Sequence, residues 1–254
     1  YSGSLMKFTL CLFCGGNSNN DSELPKPLSQ IIENKTLLRY YLSYLRFLQT
    51  SRYDQILLLC EDKQIPMFKK EINKFNYHTN LEVLGCGRKT STFEKMRIAL
   101  NVVETQDHPF MHFSYPDIFS FDNNDEMTDE WLDLSNSITI SAAPLTSRFP
   151  RLQVNVYENQ VKGISNYTSP IPANPLHIFG GDIWVKTEIL EKLLKEFDAE
   201  NQISNPSLEY DFLFWAINKN ILKSKMLSSE RILVDSIRDI QKLTSKVNNC
   251  FEIL

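Results

Sequence analysis

Phe8-Thr9-Leu10-Cys11-Leu12-Phe13-Cys14, closed by Gly15-Gly16, is a short apolar run ending in a turn signal. Such a run, apolar at consecutive positions, reads as a strand covered on both faces. The next hundred residues repeat the theme. Residues 37–48 carry apolar side chains at helical spacing, 56–60 are β-rich, 65–75 are helical, 81–84 form a strand, 93–103 a helix, and 110–113 a fourth apolar run. This βαβαβαβ order predicts parallel strands with helices on both faces. Ligands of such sheets bind beyond the carboxyl ends of the strands, which directs attention to the residues after Cys14, Leu84 and Phe113.

From Ile138 onward the pattern changes. Residues 138–142, 152–157, 161–164 and 177–185 read as strands, and Glu158-Asn159-Gln160 as a hairpin turn. Helices return at 187–197, 208–217 and 237–247, with a last strand near 232–234. The expected fold class is α/β, with a mainly parallel central sheet and a mixed second half. Residues 6–254 form one expected domain, split into halves 6–135 and 136–254. Tyr1-Ser2-Gly3-Ser4-Leu5 before Met6 reads as a cloning scar rather than a signal peptide.

Composition narrows the function. The 254 residues hold 27 Lys+Arg against 31 Asp+Glu, a formal net charge of −4, so no basic footprint for nucleic acid is expected. No apolar run reaches the length of a membrane span. Five cysteines, Cys11, Cys14, Cys60, Cys86 and Cys250, are few and odd in number. They argue against a disulfide framework and for a cytoplasmic location. Cys11 and Cys14 form C-x-x-C, but a strand sends positions i and i+3 to opposite faces, so core packing is expected of them. His108 and His112 lie too far apart on a strand to share a metal.

Glycine is sparse. Of eight, all but Gly3 fall at 15/16, 85/87, 163 and 180/181, positions where the backbone turns or something approaches closely. Gly15-Gly16, directly after the first strand, can turn free backbone N–H groups toward an anion. Pro25-Lys26-Pro27-Leu28 follows, and its two prolines stiffen the placement of one lysine. A lysine held near a glycine loop is a point charge suited to the oxygens of a triphosphate.

This order of residues, with Tyr40-Tyr41-Leu42 on the next helix, resembles the sugar nucleotidyltransferases, the nucleoside-diphosphate-sugar pyrophosphorylases. The glucose-1-phosphate cytidylyltransferase and heptose-1-phosphate guanylyltransferase branches are the nearer likenesses. Further pieces occur in the family's order: Ser114-Tyr115-Pro116-Asp117, Val161-Lys162-Gly163-Ile164, Gly180-Gly181-Asp182-Ile183-Trp184-Val185, Ser207-Leu208-Glu209-Tyr210-Asp211 and Val234-Asp235-Ser236. The resemblance implies a Rossmann-like fold of the glycosyltransferase-A type. It also implies Mg²⁺-dependent transfer of a nucleotidyl group from a nucleoside triphosphate to a sugar 1-phosphate, with release of pyrophosphate. Lys26 and Asp117 would be catalytic, and Asp117 and Asp235 would hold Mg²⁺. Gly15, Gly16, Asn17, Ser18 and Lys26 would bind nucleotide, and Asn166, Gly180, Gly181 and Glu209 the sugar phosphate. Homo-oligomers are common in the family.

The sequence departs from the family pattern in its phosphate loop. Asn17-Ser18-Asn19-Asn20-Asp21-Ser22-Glu23-Leu24 has neither the third glycine nor the arginine expected there. Thr92-Phe93-Glu94 replaces a Thr-Gly-Gly, and Asn166-Tyr167 a Glu-Lys pair. Arg88-Lys89, Arg148 and Arg151 are candidate replacement cations. Two alternatives stay open: a homologue that binds nucleotide or sugar phosphate without turnover, and a glycosyltransferase that uses a nucleotide sugar. Asp117 has no acid two residues away, which removes the usual Asp-x-Asp of the latter. The enzyme reading requires Lys26, Asp117 and Asp235 to converge on one pocket.

Overall fold

The computed structural model describes residues 7–15, 24–32, 35–47, 53–74, 80–103, 109–119, 136–144, 149–166, 177–228 and 230–247. The first half contains β1 (Phe8–Phe13), β2 (Gln30–Ile32), β3 (Lys35–Thr36), α1 (Leu37–Phe47), β4 (Tyr53–Cys60), α2 (Ile65–Ile72), β5 (Asn80–Gly85), α3 (Thr92–Val102), β6 (Phe110–Ser114) and β7 (Ile118–Phe119). The second contains β8 (Ile138–Pro144), β9 (Arg151–Asn155), β10 (Gln160–Ser165), β11 (His177–Lys186), α4 (Thr187–Glu200), α5 (Phe214–Asn218), β12 (Leu222–Met226), β13 (Ile232–Leu233) and α6 (Ile237–Val247).

Every residue of β1 is buried, because the strand lies between two parallel neighbours, β4 and β6. Its side chains alternate between two cores. Cys11 and Phe13 join Leu57, Leu59, Phe93 and Met96 on one face. Leu10, Leu12 and Cys14 join Tyr40, Leu42 and Leu58 on the other. The C-x-x-C pair is thus divided between the two faces, as its spacing predicts. Burial pushes both thiols well above the ordinary range, so neither is a reactive thiolate.

Nine of the described strands form one sheet in the order β5-β4-β1-β6-β11-β8-β12-β10-β9. The pairs β5/β4, β4/β1 and β1/β6 are parallel, which is the expected arrangement for the first half. The sheet as a whole is mixed rather than mainly parallel. β11 runs antiparallel to both β6 and β8, and β10 antiparallel to β12 and β9. Only β12 and β8 restore a parallel pair beyond β6.

The short strands β2, β3 and β7 are absent from the sequence reading, and two further differences have clear physical reasons. β12 (Leu-Lys-Ser-Lys-Met) has two apolar residues and no β-branched ones, so composition hides it; its place is set by backbone pairing to Ile138–Ala142 of β8. Residues 208–217, expected as one regular helix, begin as a π-helical segment, Leu208–Leu213, before tightening into α5. The Ser207 hydroxyl accepts from Tyr210 N at 3.2 Å, and the Asp211 carboxylate accepts from Ser207 N at 2.7 Å. Both bonds hold the widened turn, a geometry found often at functional sites. No described helix is long and apolar enough to cross a membrane.

Candidate functional site

The site begins where β1 and β6 deliver the chain at their carboxyl ends. After β1, residues 25–29 make a tight turn in which Leu28 N donates to Pro25 O at 2.9 Å and Ser29 N to Lys26 O at 3.0 Å. Pro25 has φ −58°, and Pro27 and Leu28 are buried, so the turn is anchored while the lysine side chain lines the cleft. After β6, Tyr115-Pro116-Asp117 turns the chain, and Ile118 N donates to Tyr115 O at 3.2 Å. This brings Asp117 to 2.7 Å from the Lys26 ammonium.

The second aspartate arrives from much later in the chain. β13 pairs antiparallel with β7, Ile232 opposite Phe119 and Leu233 opposite Ile118. Val234 N then donates to Asp117 O at 2.9 Å, so the next residue, Asp235, stands beside Asp117. Its backbone is held by a capping arrangement at the start of α6. There the Asp239 carboxylate accepts from Ser236 N at 2.9 Å, while the Ser236 hydroxyl accepts from Asp239 N at 3.3 Å. Asp235 completes a second ion pair with Lys26. Lys26, Asp117 and Asp235 therefore meet at one ammonium; Lys26 and Asp117 line the adjoining cleft, and Asp235 is not among its lining residues.

Electrostatics in this cluster are unbalanced. Burial disfavours the Lys26 ammonium, but Asp117 and Asp235 outweigh that and hold its pKa above the ordinary value. Burial, aided by Asp235, raises the Asp117 carboxyl, and Lys26 only partly opposes it. Two carboxylates share one cation, a formal charge of −1 that would repel a triphosphate unless more positive charge is supplied. Carboxylates sharing one ammonium nitrogen are also close enough to share one small cation. Among the described residues no group of three or more His, Cys, Asp or Glu could hold a metal. Two lone carboxylates suit Mg²⁺, which takes one or two of them and fills its shell with water and phosphate oxygens at about 2.1 Å.

Behind the cluster lies a cleft of about 220 Å³ lined by Phe13, Gly15, Lys26, Pro27, Thr90, Thr92, Lys95, Tyr115, Pro116 and Asp117. One wall is the amino-terminal turn of α3, where the Ser91 hydroxyl caps Glu94 N at 3.2 Å and donates to Pro206 O at 3.3 Å. The Tyr115 hydroxyl donates to Glu209 Oε1 at 3.0 Å, so Glu209 of the π-helical segment supports a residue of the cleft wall. Thr90, Thr92 and Lys95 were not expected at the site. A signal for Lys95 does exist: it lies three residues after Thr92 and four before buried Ala99, a stripe that faces inward.

Other expected site residues stand elsewhere. Gly180 and Gly181 are buried in β11, and neither lines the cleft. A Cβ on Gly180 would lie 2.5 Å from Ser141 Oγ, and one on Gly181 2.6 Å from Ile118 Cδ1. Gly181 also has φ +90°, so both glycines make room for the wall behind Asp117. Gly181→Ala is expected to cost about 1–3 kcal/mol, measured by urea unfolding, and to displace Ile118 next to Asp117. Asn166 is exposed after β10, outside the cleft lining. Arg88 and Lys89 are exposed too, and Arg151 opens β9 away from the cleft. Gly16, Asn17, Ser18, His108 and Arg148 lie outside the described residues.

A buried network lies beneath the site. Asp182 accepts from Arg231, from Ser114 Oγ at 2.9 Å, and lies 3.1 Å from His112 Nε2. His112 Nδ1 is 2.8 Å from the Tyr53 hydroxyl, and the ring stacks on Trp184 with centroids 4.8 Å apart. These contacts engage His112 on both ring nitrogens and leave it no role as a metal ligand.

The architecture is a mixed α/β fold with its cleft at the carboxyl ends of parallel strands, a class shared by known structures. HddC from Yersinia pseudotuberculosis superposes with a TM-score of 0.72 at 16% identity, covering 94% of this chain and 99% of that one. HddC from the same organism complexed with GMP-PN gives a TM-score of 0.71 at the same identity and coverage. At that identity the likeness shows the fold. No family model matches the chain, and no curated protein matches it in sequence.

Proposed function

We propose that the protein is a sugar-1-phosphate nucleotidyltransferase of the Rossmann-like, glycosyltransferase-A type. The observation that carries this reading is the Lys26 ammonium set between Asp117 and Asp235 at the carboxyl ends of β1 and β6. Support comes also from HddC, a protein of the same fold that has been seen complexed with GMP-PN. In the reaction, a phosphate oxygen of the sugar 1-phosphate attacks the α-phosphorus of a nucleoside triphosphate. The bond from that phosphorus to the oxygen bridging the β-phosphate breaks, and pyrophosphate leaves.

In-line attack brings two anions together, so positioning and charge neutralisation supply most of the rate. Lys26, fixed by its two prolines, donates hydrogen bonds to the oxygens on which charge develops. Asp117 and Asp235 would hold Mg²⁺, which when bound supplies the positive charge that offsets the phosphates. Tyr115, packed on Phe13 with ring centroids 5.1 Å apart, closes one side of the cleft against water. The test is pyrophosphate release from each of the four nucleoside triphosphates with Mg²⁺ and a panel of sugar 1-phosphates. Release with one pair, lost in Asp117→Asn, is the expected result. Nucleotide-dependent thermal stabilisation without release from any pair would replace the transferase by a binding protein.

A further inference from the structure

Lys95 stands apart from the other cations of the protein. It is 3% exposed; its backbone N donates to Ser91 O at 3.0 Å, while its ammonium has no hydrogen bond and no ion pair among the described residues. Its stem runs from the first turns of α3 to the end of β1. A Cβ on Gly15 would lie 1.9 Å from Nζ and 3.1 Å from Cε, so the ammonium occupies the space a side chain at position 15 would take. Lys95 lines the same cleft as Lys26.

An ammonium on a largely buried side chain with no carboxylate beside it is costly, and the neighbours do not relieve it. The acidic groups nearest in kind are thiols. Burial holds Cys60 up at about 12 and Cys86 up at about 11, against the pull of Lys95 itself, so both stay uncharged. Lys26, by contrast, is already shared by two carboxylates. The cleft therefore presents one neutralised cation and one that lacks an anion. The cleft lining also includes Thr90 and Thr92 at the amino-terminal end of α3, where the helix dipole favours negative charge; the Thr90 hydroxyl donates to Cys86 O and the Thr92 side chain bonds Tyr115.

We infer that Lys95 is a binding residue for the polyphosphate tail of the nucleotide, held ready by Gly15. It gives the cleft the positive charge that the Lys26, Asp117 and Asp235 cluster does not provide. This inference deepens the transferase reading and rests on it for the identity of the ligand, while the anion site itself can be tested separately. The position is also one where a structural lysine gains nothing, because no carboxylate or carbonyl among the described residues receives it.

The experiment compares the wild-type protein with Lys95→Met, which keeps the stem and removes the charge. Calorimetric titration with inorganic tripolyphosphate, with a nucleoside triphosphate and with glucose 1-phosphate is done in the presence of chelator, so that no metal contributes. Loss of one charged hydrogen-bond donor is expected to weaken tripolyphosphate and nucleotide about 10- to 100-fold, with glucose 1-phosphate unaffected. The ligand-free melting temperature of Lys95→Met is expected to equal or exceed that of wild type, since an unpaired buried charge has been removed. Unchanged tripolyphosphate affinity, loss confined to glucose 1-phosphate, or no tripolyphosphate binding by wild type each overturns the inference. A lower ligand-free melting temperature does so too, because it marks a structural lysine. Wild type that binds tripolyphosphate through Lys95 yet releases no pyrophosphate from any triphosphate refutes the transferase reading alone.

Discussion

Lys26→Ala lowers the turnover number for pyrophosphate release by on the order of 10²- to 10³-fold, the cost of removing one preorganised donor to a charged transition state. The lysine is held by its turn, by Asp117 at 2.7 Å and by Asp235. Its positioning is therefore complete before ligand arrives, and its loss falls on turnover more than on the Michaelis constant. Lys26→Arg does not restore the rate: the guanidinium is a planar fork, while the two carboxylates converge on a single point. Steady-state kinetics at saturating triphosphate checks both. A turnover number within threefold of wild type in Lys26→Ala would remove the residue from the mechanism.

Asp182→Ala destabilises the fold by about 3–5 kcal/mol, because it leaves the Arg231 guanidinium buried and unpaired. Both side chains are 8% exposed, so solvent does little to screen them. Burial favours the protonated form of Asp182, yet Arg231 and the hydrogen bonds from His112 and Ser114 outweigh it and hold the carboxyl at about 2. The folded value lies below the unfolded one. Asp182 therefore contributes stability above the ordinary carboxylate pKa, and that contribution is lost as the pH falls toward 2. Urea unfolding from pH 6 down to pH 2 should show this loss in wild type and a flatter acid limb in Asp182→Ala. The double variant Asp182→Ala with Arg231→Met recovers most of the stability, since no uncompensated charge remains. The pair also bears on function. Arg231 directly precedes β13, whose pairing with β7 sets Asp235 beside Asp117, so single variants are expected to lose activity as well.

Much of this was legible along the chain. The apolar run at β1 announces a doubly covered central strand, and the first half follows the predicted parallel order. Pro25 and Pro27 mark Lys26, since two ring-locked φ values fix the backbone on either side of it. Asp117 stands directly after a strand that the pattern locates. In each case the deciding interaction is local: a run of side chains, a ring-locked φ or a turn.

What stayed hidden depended on contacts between distant segments. β12 has little apolar character and exists because β8 and β10 offer it backbone partners. Gly180 and Gly181 are notable in sequence, but their reason is the Ser141, Arg231 and Ile118 side chains brought against them. Lys95 falls on the inward stripe of its helix, but its meeting with Gly15 shows only once β1 is placed beside it. The sequence by itself determined the parallel strands of the first half, the turn that carries Lys26 and the residue types suited to phosphate and Mg²⁺. The tertiary structure alone decided that Asp235, more than a hundred residues beyond Asp117, meets it at Lys26, and that Lys95 turns into the same cleft. Periodicity and turn chemistry act over a few residues, whereas a charged site is assembled by the pairing of strands whose separation along the chain no local pattern records.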